Sequence, residues 1–202
     1  IVIYEQDSVG KNTTRSLSEI ISPGTYIEDD TVSISNVTLC IWIEHTNARK
    51  KMKESLTFGV ASLDIFTGIT TLFETTDDYN HSPNSYDQLE QLVSIYSPKE
   101  TIIISNLDTD IIHDIKIYIG LDNRKCYVVE HTQNDCLLSK YVVNSFKQNY
   151  QLETLLKYYP SVSQDVIESE LIFGFGIALQ SFIVLLDYMY EHNCDFIKNL
   201  YY

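Results

Sequence analysis

The chain has 202 residues, of which 44% are hydrophobic, and this is enough apolar side chain to bury a core in one domain. Its formal net charge of −14 and isoelectric point near 4.6 argue against DNA binding through its own surface, because phosphate backbones are held by clustered lysines and arginines. The sequence opens on Ile1 instead of Met, so we expect a piece of a longer protein.

The cysteines are widely spaced, at Cys40, Cys126, Cys136 and Cys194, and no signal-peptide pattern accompanies them. This usage is typical of reduced thiols, so we expect an intracellular, reducing compartment. The longest apolar stretch, residues 173–190, is interrupted by polar side chains such as Asp187. We therefore expect neither a membrane span nor a membrane partner.

The first predicted elements are a short strand at residues 1–4 and a turn at residues 22–25. That turn reads Ser-Pro-Gly-Thr, in which proline presets φ and glycine supplies a positive φ. Residues 38–44 and 58–65 are rich in β-branched and aromatic side chains and predict two strands. Thr67 and Gly68 then turn the chain into a third strand at 69–74, which gives an antiparallel meander.

A helix is predicted over residues 86–96, because apolar side chains recur there at helical spacing, and Pro98 ends it. The apolar run at 101–105 predicts a strand buried on both faces. A helix over 111–119, a strand at 126–130 and helices from 137 onward complete the order. The sequence therefore predicts an α/β fold with a mixed five-stranded sheet, flanking helices and a helical tail, in the ribonuclease-H-like arrangement.

Short motifs occur in an order that resembles the MutS family of DNA mismatch-repair proteins. Residues 3–6, Ile-Tyr-Glu-Gln, resemble the strand that closes the family's mismatch-recognition domain, and Arg15 with residues 20–25 resembles its exit signature. Residues 58–68, FGVASLDIFTG, resemble the hairpin of the connector domain. Residues 97–103, SPKETII, resemble the connector's step from helix to strand, and residues 173–176, FGFG, resemble the segment that leads into the lever arms.

The resemblance implies three regions. Residues 1–33 correspond to the end of the mismatch-recognition domain and a linker, 34–160 to the connector core, and 161–202 to helices that lead toward the lever and core domains. The signature residues are Glu5, Gln6, Arg15, Pro23, Gly24, Thr25, Asp64, Gly68, Gly174 and Gly176. Hinges are expected at the polar joint near residues 28–30 and around Pro160.

The same resemblance implies a non-catalytic region that couples the mismatch and ATP state of its parent to a domain rearrangement. The parent is expected to be a dimeric, DNA-dependent ATPase that uses ATP and Mg²⁺ and holds DNA through its other domains. No cofactor is expected in this chain, which contains no Walker pattern. The expected partners are other MutS domains and a MutL-type protein. Candidate docking residues are Leu152, Glu153 and Thr154, although bacterial relatives carry adjacent glutamines where this chain has Glu153 and Thr154.

The alternative function is a ribonuclease-H-like, metal-dependent nuclease that uses Asp64. In such nucleases the first strand carries a metal-binding carboxylate, and several carboxylates converge on two cations. Asp64 ends a predicted strand, and Glu100, Asp108 and Asp110 follow near the next one. The competing interpretation, which we favour, is that Asp64 caps the hairpin turn before Gly68 through backbone amides.

Three further patterns have a simpler structural explanation beside a functional one. Cys126, His131 and Cys136 match part of a zinc knuckle, but the usual close cysteine pair is missing, so ordinary core and loop positions are favoured. The basic cluster of residues 49–53 has the charge to touch a DNA backbone or an acidic partner, and a solvated hairpin tip is favoured. The glycines of 173–176 are expected to permit a close backbone approach rather than to bind phosphate.

Overall fold

A computed structural model describes residues 1–6, 14–26, 36–47, 53–130, 137–193 and 200. Its strands are β1 (Val2–Gln6), β2 (Arg15–Ile20), β3 (Val37–Thr46), β4 (Ser55–Asp64), β5 (Thr70–Asp78), β6 (Glu100–Ser105) and β7 (Lys125–Glu130). Its helices are α1 (Asp87–Tyr96), α2 (Thr109–Tyr118), α3 (Leu137–Ser145), α4 (Gln148–Tyr158), α5 (Gln164–Val166) and α6 (Ile177–His192). A 3₁₀ turn, Pro83–Tyr86, leads into α1, and a π-helical segment, Ile167–Ile172, continues α5.

The five-stranded sheet has the order β5-β4-β3-β6-β7. β3, β4 and β5 form the predicted antiparallel meander, whereas β6 and β7 run parallel to β3. Three antiparallel strands followed by parallel strands on the other side of the first one is the ribonuclease-H-like topology. The predicted fold class is therefore confirmed, and so is each of the five predicted strands.

Each face of this sheet carries its own core, because successive side chains of a strand point to opposite faces. One face, which we call the α6 face, buries Cys40 and Trp42 of β3 against α3, α4 and α6. The other, the α1 face, buries Leu39 and Ile41 of β3 against α1 and α2. β3 and β6 are buried along nearly their whole length, which explains their continuous apolar runs.

The predicted ends of α1 and α2 are confirmed. Ser97, after the last residue of α1, has a left-handed φ of 42°, and Pro98 follows it. Gly120 stands just beyond α2 with a φ of 73°, a conformation that glycine adopts without steric penalty.

The segment after residue 160 is helical, as predicted, but its last helix belongs to the α/β body. α6 lies across β4 and β3, and nearly every residue from Ala178 to Met189 is buried. Gly59 of β4 permits this close approach, because a Cβ at that position would lie 2.4 Å from the backbone nitrogen of Ala178. α6 therefore packs on the same sheet as the elements before residue 160, and the assignment of residues 161–202 to helices that lead toward the lever and core domains stays a prediction.

β1 and β2 form a separate antiparallel hairpin whose register runs from Val2 opposite Ile20 to Gln6 opposite Arg15. Most of its side chains are exposed. The predicted boundary at residue 33 and the predicted hinge at 28–30 lie outside the described residues.

Within the described ranges no single helix is long and apolar enough to cross a membrane. The pair Gln164–Ile172 and Ile177–His192, bent by 120°, meets the length and composition criteria only when the two helices are taken together.

Candidate functional site

The loop at residues 22–25 attaches the N-terminal hairpin to the α/β body. Glu100, the first residue of β6, is fully buried, and its Oε2 accepts hydrogen bonds from the Ser22 hydroxyl at 2.5 Å and the Gly24 amide at 3.0 Å. Thr25 folds the loop on itself, since its Oγ1 accepts a 2.9 Å hydrogen bond from the Ser22 amide. We call this contact between residues 22–25 and Glu100 the latch.

The latch explains why glycine stands at position 24. A Cβ on Gly24 would lie 2.5 Å from Thr38 Oγ1 and 2.6 Å from Glu100 Oε2, closer than real Cβ atoms come. The proline before it and the threonine after it shape the turn that brings the Gly24 amide to the carboxylate. Two motifs that carry the family resemblance, residues 22–25 and the step at 98–100, therefore touch each other.

Glu100 lies in a buried polar environment in which some hydrogen-bonding atoms have no partner among the described residues. Among the described residues, its Oε1 and Thr38 Oγ1 have no hydrogen-bond partner, and Tyr188 lies close by. Burial is the largest cause that raises the pKa of Tyr188 far above its ordinary value, and the charge of Glu100 raises it further. Burial of an incompletely paired carboxyl group is energetically expensive, so the hydrogen bonds from Ser22 and Gly24 compensate in part for the hydration that Glu100 loses.

The other N-terminal signature residues lie on the hairpin. Glu5 and Gln6 are on β1 and Arg15 begins β2, with all three side chains exposed. They do not contribute to the latch, and their role stays a prediction.

Asp64 caps a turn, as the favoured interpretation predicted. Its Oδ1 accepts hydrogen bonds from the amides of Asn36 and Phe66, both at 3.1 Å, and its Oδ2 accepts one from the Thr67 hydroxyl at 3.1 Å. The Gly68 amide closes the turn on the Asp64 carbonyl at 2.8 Å, and Gly68 has a φ of 70°. These bonds fix the β4–β5 turn and tie it to the start of β3.

The carboxylates named for a nuclease do not converge. Asp64 ends the second strand of the sheet, β4, and lies opposite Val37, so it does not occupy the first strand as a nuclease carboxylate would. Glu100 pairs with Thr38 at the same end of the sheet but is occupied by the latch. Asp108 and Asp110 follow the far end of β6, roughly 16 Å or more away along a strand of that length.

Metal ions in proteins are usually held by His, Cys, Asp and Glu side chains that lie close together. The described residues contain no group of three or more such side chains arranged to hold a metal ion. Of the partial zinc-knuckle pattern, His131 and Cys136 lie outside the described residues. Cys126 is partly buried on β7, and burial raises the pKa of its thiol to about 11, which favours the neutral thiol over a thiolate ligand.

The glycines at 174 and 176 have structural roles. A Cβ on Gly174 would lie 2.2 Å from the Glu170 carbonyl oxygen, so only glycine fits behind the π-helical segment. Gly176 precedes α6, and its amide donates a 2.9 Å hydrogen bond to Glu74 Oε2, as does the Ala178 amide. Because Glu74 occupies this helix N-terminus, the amides there are not free to cradle a phosphate.

Of the basic cluster, positions 49–51 lie outside the described residues. Lys53 is described, and its Nζ forms a 2.7 Å ion pair with Asp78 Oδ2 at the exposed ends of β4 and β5. The hydrogen bond that Lys53 donates to Asp78 is the main cause that raises the pKa of Lys53. This side chain therefore neutralises a carboxylate of its own chain.

The candidate docking residues lie on α4. Leu152 is half-buried, Glu153 is exposed and Thr154 is buried. Glu153 and Thr154 line a polar cavity of about 200 Å³ together with residues of α4 and α6: Tyr150, Lys157, Tyr158 and Asp187.

The buried carboxyl of this cavity is Asp187. Its Oδ2 accepts a 2.9 Å hydrogen bond from the Tyr150 hydroxyl. Burial is the largest cause that raises the pKa of Asp187 to about 6, and nearby Glu191 raises it too, whereas the Tyr150 bond and the charges of Lys157 and Lys140 lower it. Sequence patterns alone did not single out Asp187, because it lies within an apolar helix whose spacing indicates only core.

The chain is similar in sequence to a viral mismatch-repair protein. No protein-family model matches the chain. The chain is 27% identical over 215 aligned positions to a DNA mismatch repair MutS homologue of Acanthamoeba polyphaga mimivirus. The alignment covers 100% of this chain and 19% of the viral protein, so the chain spans about a fifth of that relative's length.

Among solved structures, the fold is similar to a crystal structure of the Fowlpox virus resolvase with its substrate Holliday junction DNA. The sequence identity is 16% and the TM-score is 0.37, over 74% of this chain and 96% of the resolvase. A structural overlap this loose is not evidence of shared function. The sequence comparison supports a link between this chain and MutS-type mismatch-repair proteins.

Proposed function

We propose that the chain is the connector region of a MutS-type mismatch-repair protein. The single observation that carries the proposal is the similarity to the viral MutS homologue, which extends over the whole chain. The latch adds physical support, because a connector must be joined firmly enough to its neighbour to transmit movement. Here the joint is a buried carboxylate, Glu100, that bonds the loop at the end of the N-terminal hairpin.

In this proposal the α/β body moves as one unit. The sheet is packed on both faces, and α6 is wedged against Gly59, so an applied displacement is passed on rather than absorbed. The N-terminal hairpin belongs to the mismatch-sensing side, and the latch carries its position to β6 and α6. ATP, Mg²⁺ and DNA would be bound by other domains of a dimeric parent, and this chain would catalyse no reaction itself.

The proposed docking surface for a MutL-type partner is α4, at Leu152, Glu153 and Thr154. Only Glu153 and the half-buried Leu152 present accessible side chains there, while Thr154 shapes the cavity wall. Glu153 forms no ion pair with another described residue. An exposed carboxylate beside an apolar side chain suits a partner that offers a basic residue next to an apolar one.

The docking part is tested with the chain and a purified MutL-type protein from the same source. We expect saturable binding that is weakened at least about tenfold by Glu153→Lys, because like charges across an interface repel. The matched control is Asp114→Lys, an equal change of charge on α2 at the other face of the sheet. Equal binding by the chain and Glu153→Lys would overturn this docking surface.

The connector and nuclease hypotheses make opposite predictions for catalysis. A connector leaves duplex, mismatched and four-way-junction DNA intact in the presence of Mg²⁺ or Mn²⁺. Cleavage by the purified chain that disappears in Asp64→Asn would establish the nuclease instead. The geometry around Asp64, whose carboxylate bonds two amides and a hydroxyl, favours the first outcome.

A further inference from the structure

An apolar cavity of about 290 Å³ opens on the α6 face beside β5. It is lined by residues of β5, the π-helical segment and α6, and by the residue after α4: Thr70, Thr71, Leu72, Tyr159, Leu171, Phe175 and Phe182. Tyr159 and Phe182 form its buried floor. The polar group at the floor is already paired, since the Tyr159 hydroxyl and Thr70 Oγ1 lie 3.3 Å apart. Apart from Thr71, the remaining lining is apolar and suits an apolar side chain.

The cavity opens at the edge of the sheet. β5 is the terminal strand in the sheet order, so its outer backbone edge pairs with no other described strand. Consecutive residues of a strand point to opposite faces. Leu72 packs on the α6 face and Phe73 on the α1 face, so the Thr71 side chain points away from the α6 face, and Thr71 borders the cavity along the strand. A peptide strand that pairs with this edge would point every second side chain toward the α6 face, within reach of the cavity.

Two of the elements that line the cavity carry charge of one sign. β5 contains Glu74, Asp77 and Asp78, and α5 with the π-helical segment contains Asp165, Glu168 and Glu170. Neither of these elements contains a lysine or an arginine. Such a surface attracts a basic partner and repels nucleic acid. The cavity volume lies at the lower limit of the roughly 300–1,000 Å³ usual for small-molecule sites, so a single anchor side chain is the better fit.

We propose that this cavity and the edge of β5 bind an extended, basic segment of a partner protein, which places one apolar side chain in the cavity. Leu171 comes from a π-helical turn, in which the Phe173 amide bonds the Glu168 carbonyl at 2.9 Å. Single-turn π-bulges recur at functional sites, and Leu171 of this one lines the cavity. The inference is independent of the docking surface on α4 and of the parent's function.

The test uses short synthetic peptides in which one leucine is flanked by lysines, with binding to the whole chain followed by fluorescence anisotropy at low salt. We expect saturable binding of the lysine-flanked leucine peptide. Peptides with glutamate in place of lysine, or alanine in place of leucine, are expected to bind at least about tenfold more weakly, since each lacks one of the two attractions. Equal binding of all three peptides, or binding of none, would overturn the proposal.

Two variants locate the site. Glu170 is exposed and directly precedes the lining residue Leu171, so Glu170→Lys reverses a charge beside the cavity without disturbing the core. It should weaken peptide binding by about tenfold or more. Asp114→Lys makes the same change of charge on exposed α2, on the opposite face, and should alter the affinity less than about twofold. If both variants bind the peptide equally well, the site is elsewhere and the proposal fails.

Discussion

The amide of Gly24 donates a 3.0 Å hydrogen bond to the carboxylate of Glu100, a residue 76 positions later that is fully buried at the start of β6. This contact joins the N-terminal hairpin to the central sheet. It has two independent requirements, namely no side chain at position 24 and an acceptor at position 100. Each requirement gives a mutational prediction.

Substitution of Gly24 by alanine is expected to detach the loop at residues 22–25 from the sheet. The new Cβ would lie within 2.6 Å of both Thr38 Oγ1 and Glu100 Oε2, and overpacking of this kind destabilises by roughly 1–3 kcal/mol. Urea unfolding measures the loss of stability, and hydrogen exchange should show faster exchange of the backbone amide at position 24 in the variant. Gly176→Ala is the matched control, because its Cβ would meet only the flexible Glu74 side chain at 3.4 Å. Equal stability of the two variants would contradict the latch.

Substitutions of Glu100 separate its hydrogen bonds from its charge. Glu100→Ala leaves the Ser22 hydroxyl and the Gly24 amide without their acceptor and is expected to destabilise the chain by roughly 2–4 kcal/mol. Glu100→Gln keeps an acceptor oxygen for Ser22 and Gly24 and replaces Oε1, which has no partner among the described residues, by an amide group, so it should cost less than about 1 kcal/mol. Equal losses in the two variants would show that the carboxylate charge itself is required.

Asp64→Ala is expected to loosen the β4–β5 turn without affecting any chemistry. The variant removes the acceptor for the Asn36 and Phe66 amides and for the Thr67 hydroxyl, at a loss of roughly 1–3 kcal/mol. Asp64→Asn retains one acceptor oxygen and should lose less. Thermal unfolding measures how much stability each variant loses and shows which loses more. An Asp64→Asn variant less stable than Asp64→Ala would contradict the capping role.

Asp187 is expected to make the chain less stable as pH rises. Its pKa in the folded protein is about 6 against an ordinary value of 3.8, so the folded state holds this proton more tightly than the unfolded chain does. The stabilisation by protonation is complete below about pH 4 and is lost as pH rises through about 6. Asp187→Asn keeps an acceptor for the Tyr150 hydroxyl and removes the titration.

The measurement is the free energy of unfolding of the chain and of Asp187→Asn by urea at several pH values. The difference between them should move in favour of the Asp187→Asn variant by roughly 2 kcal/mol from about pH 4 to about pH 7, after allowance for solvent at the open side of the cavity. Carboxyl groups that do not interact with Asp187 cancel in this difference. A difference that is constant with pH would show that Asp187 titrates normally.

The strands and helices were predictable because their signals are local. β6 reads as a continuous apolar run and α1 as a 3.6-residue repeat, and both appear where the patterns predict them. The capping role of Asp64 followed from the Thr67 and Gly68 turn beside it. These features depend on neighbours within a few residues, which one sequence displays directly.

The latch and the position of α6 were not predictable in the same way. Nothing near Glu100 in the sequence shows that residues 22–25 will cover it, and its step motif indicated only the start of a strand. The spacing at 177–192 predicts a helix, and Gly59 within β4 indicates only that some other backbone approaches that strand. Hydrophobic spacing on α6 shows that the helix is buried but not which surface buries it.

The most direct test of the connector hypothesis is the rate of ATP hydrolysis by the full-length protein with matched and with mismatched DNA, compared between the native sequence and Gly24→Ala. We expect mismatched DNA to stimulate hydrolysis in the native protein. In Gly24→Ala the basal rate should persist and the stimulation should fall, because the hairpin no longer moves with the sheet. A native protein that hydrolyses no ATP, or whose rate is the same with matched and mismatched DNA, would contradict the account.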